Sequence, residues 1–224
     1  MHYYIALAIV AFFLFLADVI AIKYNEIMAS KTFGDKVTVI RNMRKKPKMF
    51  CVFMFVVYVV ITVLFAIFMK DESLIFLMKR LGLISILLPA TFYDLREYRI
   101  PNKLLIFGMI LRGVFLIPEV LTEKDFLMIW LYEVIAIVVM FIATVAIALI
   151  SEESLGMGDL KMFIVMGAYL GLTGLFAALF YSGVAAGISS LFLILTKKKK
   201  MKDGIKFAPY MLIGTMIAII LIGA

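Results

Sequence analysis

The sequence predicts an all-α membrane protein: a polytopic transmembrane helical bundle of about eight spans, with its N-terminus outside. Three observations carry that expectation. Of the 224 residues, 65% are apolar and only 17% charged, with a mean hydropathy of +1.12, whereas an ordinary soluble domain is about half apolar and a quarter charged. The apolar residues come in runs of about 20 that lack the polar stripe of a surface helix. The charged residues gather between those runs. A water-soluble globule is excluded, and the length suits one integral membrane domain over 1–224.

Taken in order, the apolar runs give spans at 3–22, 50–69, 74–93, 103–118, 126–150, 159–171, 174–196 and 207–223. The first has no basic region ahead of it and no small-residue cleavage site, so it reads as a retained span rather than a signal peptide. The third is interrupted by Lys79 and Arg80, which suggests an amphipathic piece, Leu74 to Met78, lying at the surface before a span that starts near Leu81. No internal repeat or low-complexity region is evident.

The loops sort by charge. One alternating set (23–49, 94–103, 151–161 and 197–206) holds 18 of the 23 Lys and Arg residues; the others are Lys70, Lys79, Arg80, Arg112 and Lys124. The positive-inside rule places that set in the cytoplasm and both termini outside. The basic cytoplasmic loop 23–49 and the run Lys197 to Lys200 are thereby explained as topology signals and contacts to anionic lipid. The formal charge of +8 therefore calls for no nucleic-acid partner. With one cysteine, Cys51, and one histidine, His2, there is no internal disulfide and no Cys/His cluster for a metal or haem, so the expectation is no cofactor and no metal. Chemistry must come from carboxylates, hydroxyls or amines.

A carboxylate at membrane depth costs roughly 2.5 to 3.5 kcal/mol on insertion scales, so each one needs a reason. Asp18 lies in the first span, Asp94 at the inner end of the third, Glu133 in the outer part of the fifth and Asp159 at the inner start of the sixth. Only Asp94 and Asp159 share the cytoplasmic edge and have punctuating residues around them.

Asp159 sits in Gly156-Met157-Gly158-Asp159-Leu160-Lys161. The two glycines allow positive φ and close approach of another chain, and the aspartate can cap the helix that begins there. Such a cap is one complete account of the motif, since Gly-x-Gly-Asp arises by chance in roughly one chain in twenty of this length. Asp94 sits in Tyr93-Asp94-Leu95-Arg96-Glu97-Tyr98-Arg99-Ile100-Pro101-Asn102-Lys103, a short polar connection in which Pro101 fits the first turn of the following span. A solvated loop is the plain account there.

The convergence of the two on short segments at one membrane edge is what points to a site. About 13 residues of helix cover only about 20 Å of a hydrocarbon layer about 30 Å thick. Two carboxyls sharing a water cannot both ionise cheaply, so the pair titrates as a unit. The charged member can take a proton from the water as it attacks a peptide carbonyl, and the protonated member can polarise that carbonyl.

These residues resemble the type IV prepilin peptidases, membrane aspartyl proteases with a Gly-x-Gly-Asp motif. The resemblance rests on Asp94-Leu95-Arg96 followed by Ile100-Pro101-Asn102, on Gly156 to Lys161, and on Lys206-Phe207-Ala208-Pro209-Tyr210 opening the last span. These motifs lie in the region 94–223 and cover about half the chain. The family likeness implies that Asp94 and Asp159 are the catalytic pair, supported by Gly156, Gly158, Lys161, Pro101 and Pro209. It implies as substrate the short basic leader of prepilin-like or preflagellin-like precursors, cut at the cytoplasmic side of the cell membrane just before a hydrophobic helix. It further implies that Phe207 to Tyr210 line the site, with Pro209 freeing backbone groups for an extended substrate; an ordinary helix-start proline is the other reading.

Many bacterial members carry a larger domain with paired Cys-x-x-Cys motifs after the first span and also methylate the new N-terminus with S-adenosylmethionine. Here the loop 23–49 has no cysteine, so the expectation is a peptidase only. The short form is similar to lineages with reduced enzymes or to the related archaeal preflagellin peptidases, although the Pro209 motif and eight spans favour the prepilin branch.

Asp18 is the rival for the first catalytic position; lying near Lys23, it also reads as an interfacial carboxylate paired with a lysine or another helix. Glu133 reads as a helix-packing or cavity carboxylate, and Glu152 and Glu153 as solvated charges able to attract a basic leader. Two other classes stand beside the protease. An ion-coupled transporter would use the intramembrane carboxylates as a proton relay and would show broken helices in matching halves. A non-catalytic scaffold of a pilus or secretion assembly would not need the aspartates.

Overall fold

The computed structural model describes residues 6–20, 47–69, 72–150, 156–196 and 206–223. Among them every regular element is a helix: α1 (Ala6–Ile20), α2 (Pro47–Phe68), α3 (Leu74–Glu97), α4 (Asn102–Thr122), α5 (Phe126–Ile150), α6 (Met157–Leu195) and α7 (Ala208–Ile222). Four of them (α3, α4, α5 and α6) are long and apolar enough to cross a membrane, and shorter apolar helical stretches, Ala6–Ile20, Met54–Phe68 and Ala208–Ile222, accompany them among the described residues. Large apolar side chains such as Leu121, Leu127, Phe180 and Leu195 stand exposed along these helices, as a lipid solvent requires. The described residues of the loop 23–49 are its last three, Pro47 to Met49, which already belong to α2. Glu152, Glu153 and the run Lys197 to Lys200 lie outside the described residues.

The chain divides into two compact units, Met1–Leu81 and Gly82–Ala224. In the first, α1 packs on α2 through Phe15, whose ring meets Phe55 at 5.6 Å and Tyr58 at 6.1 Å, edge to face. Edge-to-face contact suits the ring quadrupole. Asp18 is buried there, 2% exposed, and accepts a hydrogen bond of 2.5 Å from the Tyr58 hydroxyl. In the second unit α6 is the hub, packing on α4, α5 and α7.

Several boundaries differ from those the sequence predicts. Leu74 to Met78 is not a separate surface piece, because α3 runs unbroken from Leu74 to Glu97. Lys79 and Arg80 are buried within it, and the Arg80 guanidinium lies 4.4 Å from the centre of the Phe76 ring, a cation–π contact that eases its burial. Helix α3 also extends past Asp94, so the polar connection shrinks to 98–101. Helix α4 continues through Pro118 to Thr122, which makes it 21 residues long and not one of the short segments. The last turn includes Glu119, buried by pairing with Arg112, and Thr122 donates its hydroxyl to the Pro118 carbonyl at 2.8 Å.

The predicted division between 159–171 and 174–196, by contrast, is present: within α6 two helices meet at Gly171, where φ is 66° and ψ −175° and the backbone leaves the helical region. That backbone conformation belongs almost wholly to glycine. The kink sits beside a buried cluster. Arg112, 4% exposed, donates from Nε to the Ala168 carbonyl at 2.8 Å and from Nη2 to Glu119 at 2.7 Å and to Glu133. The Tyr169 hydroxyl donates to the Gly108 carbonyl at 2.8 Å. A helix broken at Gly171 leaves carbonyls of the preceding turn without intrahelical donors, and Arg112 supplies one.

Candidate active site

Asp94 lies in the last turn of α3, with a residue exposure of only 6%. The helix ends at Tyr98, whose φ of 53° makes it the only described non-glycine residue with positive φ. Its N–H donates to the Asp94 carbonyl at 3.1 Å, the 5→1 bond of a left-handed helix cap. For a residue with a Cβ this conformation costs about 1 to 2 kcal/mol. Lys206 reinforces the same end: its ammonium donates to the Leu95 carbonyl and lies 4.0 Å from the centre of the Tyr98 ring. The Asp94 carboxylate is fixed by a second helix start, since the Ala208 N–H donates to its Oδ2 at 3.0 Å and Thr91 donates its hydroxyl to the Ala208 carbonyl at 3.2 Å.

Asp159 lies in the first turn of α6, whose N-cap is Gly156. The aspartate is therefore inside the helix and not the N-cap residue expected from sequence; the backbone bonds Asp159 N–H to Gly156 carbonyl (2.9 Å) and Leu160 N–H to the same carbonyl (3.3 Å) close the turn. Its side chain bends back over the helix start, where a Cβ on Gly156 would meet Asp159 Oδ2 at 3.1 Å. Unpaired N–H groups and the helix dipole favour a carboxylate there. The flanking glycines do not use positive φ either: Gly156 is extended at φ −61°, and Gly158 is not among the positive-φ residues. Gly158 serves close approach instead, since a Cβ on it would lie 3.2 Å from Ile100 Cβ and 3.4 Å from the Ile100 backbone nitrogen. Its hydrogen lets the two motif segments touch.

Asp94 and Asp159 both line one cavity of about 480 Å³, together with Glu97 to Asn102, Gly156 to Gly158 and Lys161. The two carboxyls are near enough to interact electrostatically. Of the supporting positions named from sequence, Gly156, Gly158, Lys161 and Pro101 share this cavity with the aspartates, and Lys161 donates to Asn102 Oδ1 at 3.2 Å across it. Pro101 is the residue just before α4, extended at ψ 129°. Pro209 does not line the cavity; it occupies the first turn of α7, where its missing N–H costs no helix bond. The neighbouring backbone groups of Ala208 are engaged by Asp94 and Thr91 rather than held open.

A second hollow, about 630 Å³ and largely apolar, runs between α4 and α6 and shares Asn102 and Lys161 with the first. Among the described residues no group of three His, Cys, Asp or Glu side chains is placed to hold a metal.

The sequence reading gave Tyr98 no role, and it named Glu133 as a helix-packing or cavity carboxylate without its partners Arg112 and Glu119. For the cluster a signal existed: Arg112 and Glu119 are seven residues apart in an apolar run, two turns along one helix face. Tyr98 carried no signal, because its left-handed backbone is set by the fold.

The model of the type IV leader peptidase family matches residues 81–191, a stretch that contains both aspartates. Over this stretch the chain is similar to the type IV leader peptidase family. It is also 29% identical over 135 residues to a prepilin leader peptidase/N-methyltransferase of Bacillus subtilis (strain 168), a stretch that is 60% of this chain and 52% of the relative. The chain thus spans about half the length of that curated relative. No solved structure matches it.

Proposed function

We propose that the protein is a membrane aspartyl endopeptidase that removes the N-terminal leader of prepilin-like precursors at the cytoplasmic face, with Asp94 and Asp159 as the catalytic pair. The observation that carries this reading is the shared cavity, which receives Asp94 from the end of α3 and Asp159 from the start of α6 within the stretch that matches the leader peptidase family. In the reaction one carboxylate takes a proton from a water molecule as the water oxygen bonds to the scissile carbonyl carbon. The other carboxyl, protonated, hydrogen-bonds the carbonyl oxygen as negative charge develops on it. Collapse of the tetrahedral intermediate breaks the C–N bond, and the proton taken from the water passes to the leaving nitrogen.

A cavity lined in part by charged side chains, adjoining an apolar hollow through Asn102 and Lys161, suits a polypeptide that is polar before the scissile bond and apolar after it. The cysteine-free loop 23–49 supports a peptidase without methyltransferase activity. An arrangement of eight membrane segments with the N-terminus outside, drawn from the basic loops, brings both aspartates to the cytoplasmic side.

The test is incubation of the purified protein in detergent with a panel of pilin-like precursors, followed by mass spectrometry of the new N-terminus. Wild type should release the leader and leave an unmethylated N-terminus, while Asp94→Asn and Asp159→Asn should each lower cleavage by at least about 1,000-fold. Intact precursor throughout the panel with wild type would sink the reading.

A further inference from the structure

We propose that Tyr98 is a substrate-contacting residue, its ring forming a wall of the cavity on which the extended main chain of the polypeptide substrate lies beside the aspartates; this rests on the peptidase reading above. The starting point is a conflict between backbone and side chain. Tyr98 closes α3 in the left-handed region, at φ 53°, with its N–H on the Asp94 carbonyl. Glycine serves that role without steric cost, and asparagine at little cost. A residue chosen only to cap the helix would not be tyrosine, and backbone outliers of this kind collect where a side chain is needed in a set place.

The ring's surroundings say what it is needed for. Tyr98 lines the same cavity as Asp94 and Asp159, yet it is 63% exposed, so the ring is not there to fill the protein's own core. It is steadied by the Lys206 ammonium, 4.0 Å from its centre, while that same ammonium holds the Leu95 carbonyl one turn below. A rigid aromatic surface with few rotatable bonds gives contact area at low entropic cost, and amide planes pack well on an aromatic face. The ring is thus both exposed and held in place, at the rim of the cavity that contains the carboxyl pair.

The experiment measures cleavage kinetics on a pilin-like precursor together with thermal unfolding in the same detergent. Tyr98→Gly, which relieves the backbone and removes the ring, should raise KM about tenfold with kcat within about twofold of wild type, the pattern of lost ground-state binding. Its melting temperature should equal or exceed that of wild type. Tyr98→Phe, which keeps the ring, should bring KM back to within about twofold of wild type. As a direct measurement, p-benzoylphenylalanine at position 98 in the Asp159→Asn background should form a photoadduct with the precursor.

An unchanged KM in Tyr98→Gly alongside cleavage by wild type overturns the assignment and leaves the peptidase reading standing. So does a lowered melting temperature with kcat lost and KM unchanged, since that is the signature of a cap alone. Absence of a photoadduct also overturns the assignment. Failure of wild type to cleave any precursor overturns the peptidase reading itself and the assignment with it.

Discussion

Gly158 shows how little room separates the two motif segments. A methyl group there would press on Ile100 at 3.2 Å, and since displacement of about 1 Å can cost 100-fold in rate, a shift of a few tenths of an ångström in Gly158→Ala should lower kcat about tenfold. Kinetics of the folded variant, with an unchanged melting temperature, check this. Asp18 makes the contrasting case. It is buried against the Tyr58 hydroxyl, while the cavity containing Asp159 is lined wholly by residues between 94 and 161. Asp18→Asn keeps an oxygen able to accept that bond, so cleavage should stay within about threefold of wild type. A loss as large as that of Asp94→Asn would move the catalytic assignment to Asp18. Both aspartates of the pair could be picked out in the sequence because acids are scarce in so apolar a chain. Tyr98 could not, and Ala208 was reached only within the segment Phe207 to Tyr210 that the resemblance supplied, because their parts are played by backbone geometry that no residue identity announces.

At the scale of helices, the kink at Gly171 and the buried charges beside it form one device. Arg112 reaches from α4 to Glu133 on α5 and to the carbonyl of Ala168 ahead of the kink. The half of α6 so anchored is the one that begins at Met157 and carries Asp159. Removing the guanidinium leaves Glu119 and Glu133 buried without it. Arg112→Met should therefore destabilise the fold by about 3 to 5 kcal/mol, read as a fall in melting temperature in detergent, with Arg112→Lys recovering part of the loss. The sequence reading separated 159–171 from 174–196 because glycines and a threonine interrupt the apolar pattern there. The structure breaks α6 between them at Gly171, since a single glycine can turn the backbone while its neighbours stay helical. The reading also stopped α4 at Pro118 and split α3 at Lys79. It did so because proline and buried charge are costly in isolation, whereas a paired Glu119 and an Arg80 set against Phe76 lower that cost.

For the molecule as a whole, the proposed orientation makes a prediction independent of catalysis. In a background in which Cys51 is replaced by serine, Asp125→Cys should react with a membrane-impermeant thiol reagent on intact cells. Lys103→Cys should react only after the membrane is opened. The opposite pattern would invert the protein and move the aspartates to the far side. The sequence by itself determined the all-helical class, the lipid solvent and the two aspartate motifs, because hydrophobic periodicity and the cost of charge in hydrocarbon act locally along the chain. Only the tertiary structure decided that the end of α3 and the start of α6 open into one cavity, that the start of α7 holds the Asp94 carboxylate, and that a strained tyrosine stands at its rim. Those depend on backbone groups and close approaches between segments more than 50 residues apart, and pairing over such distances is set by how the helices pack, which local pattern does not encode.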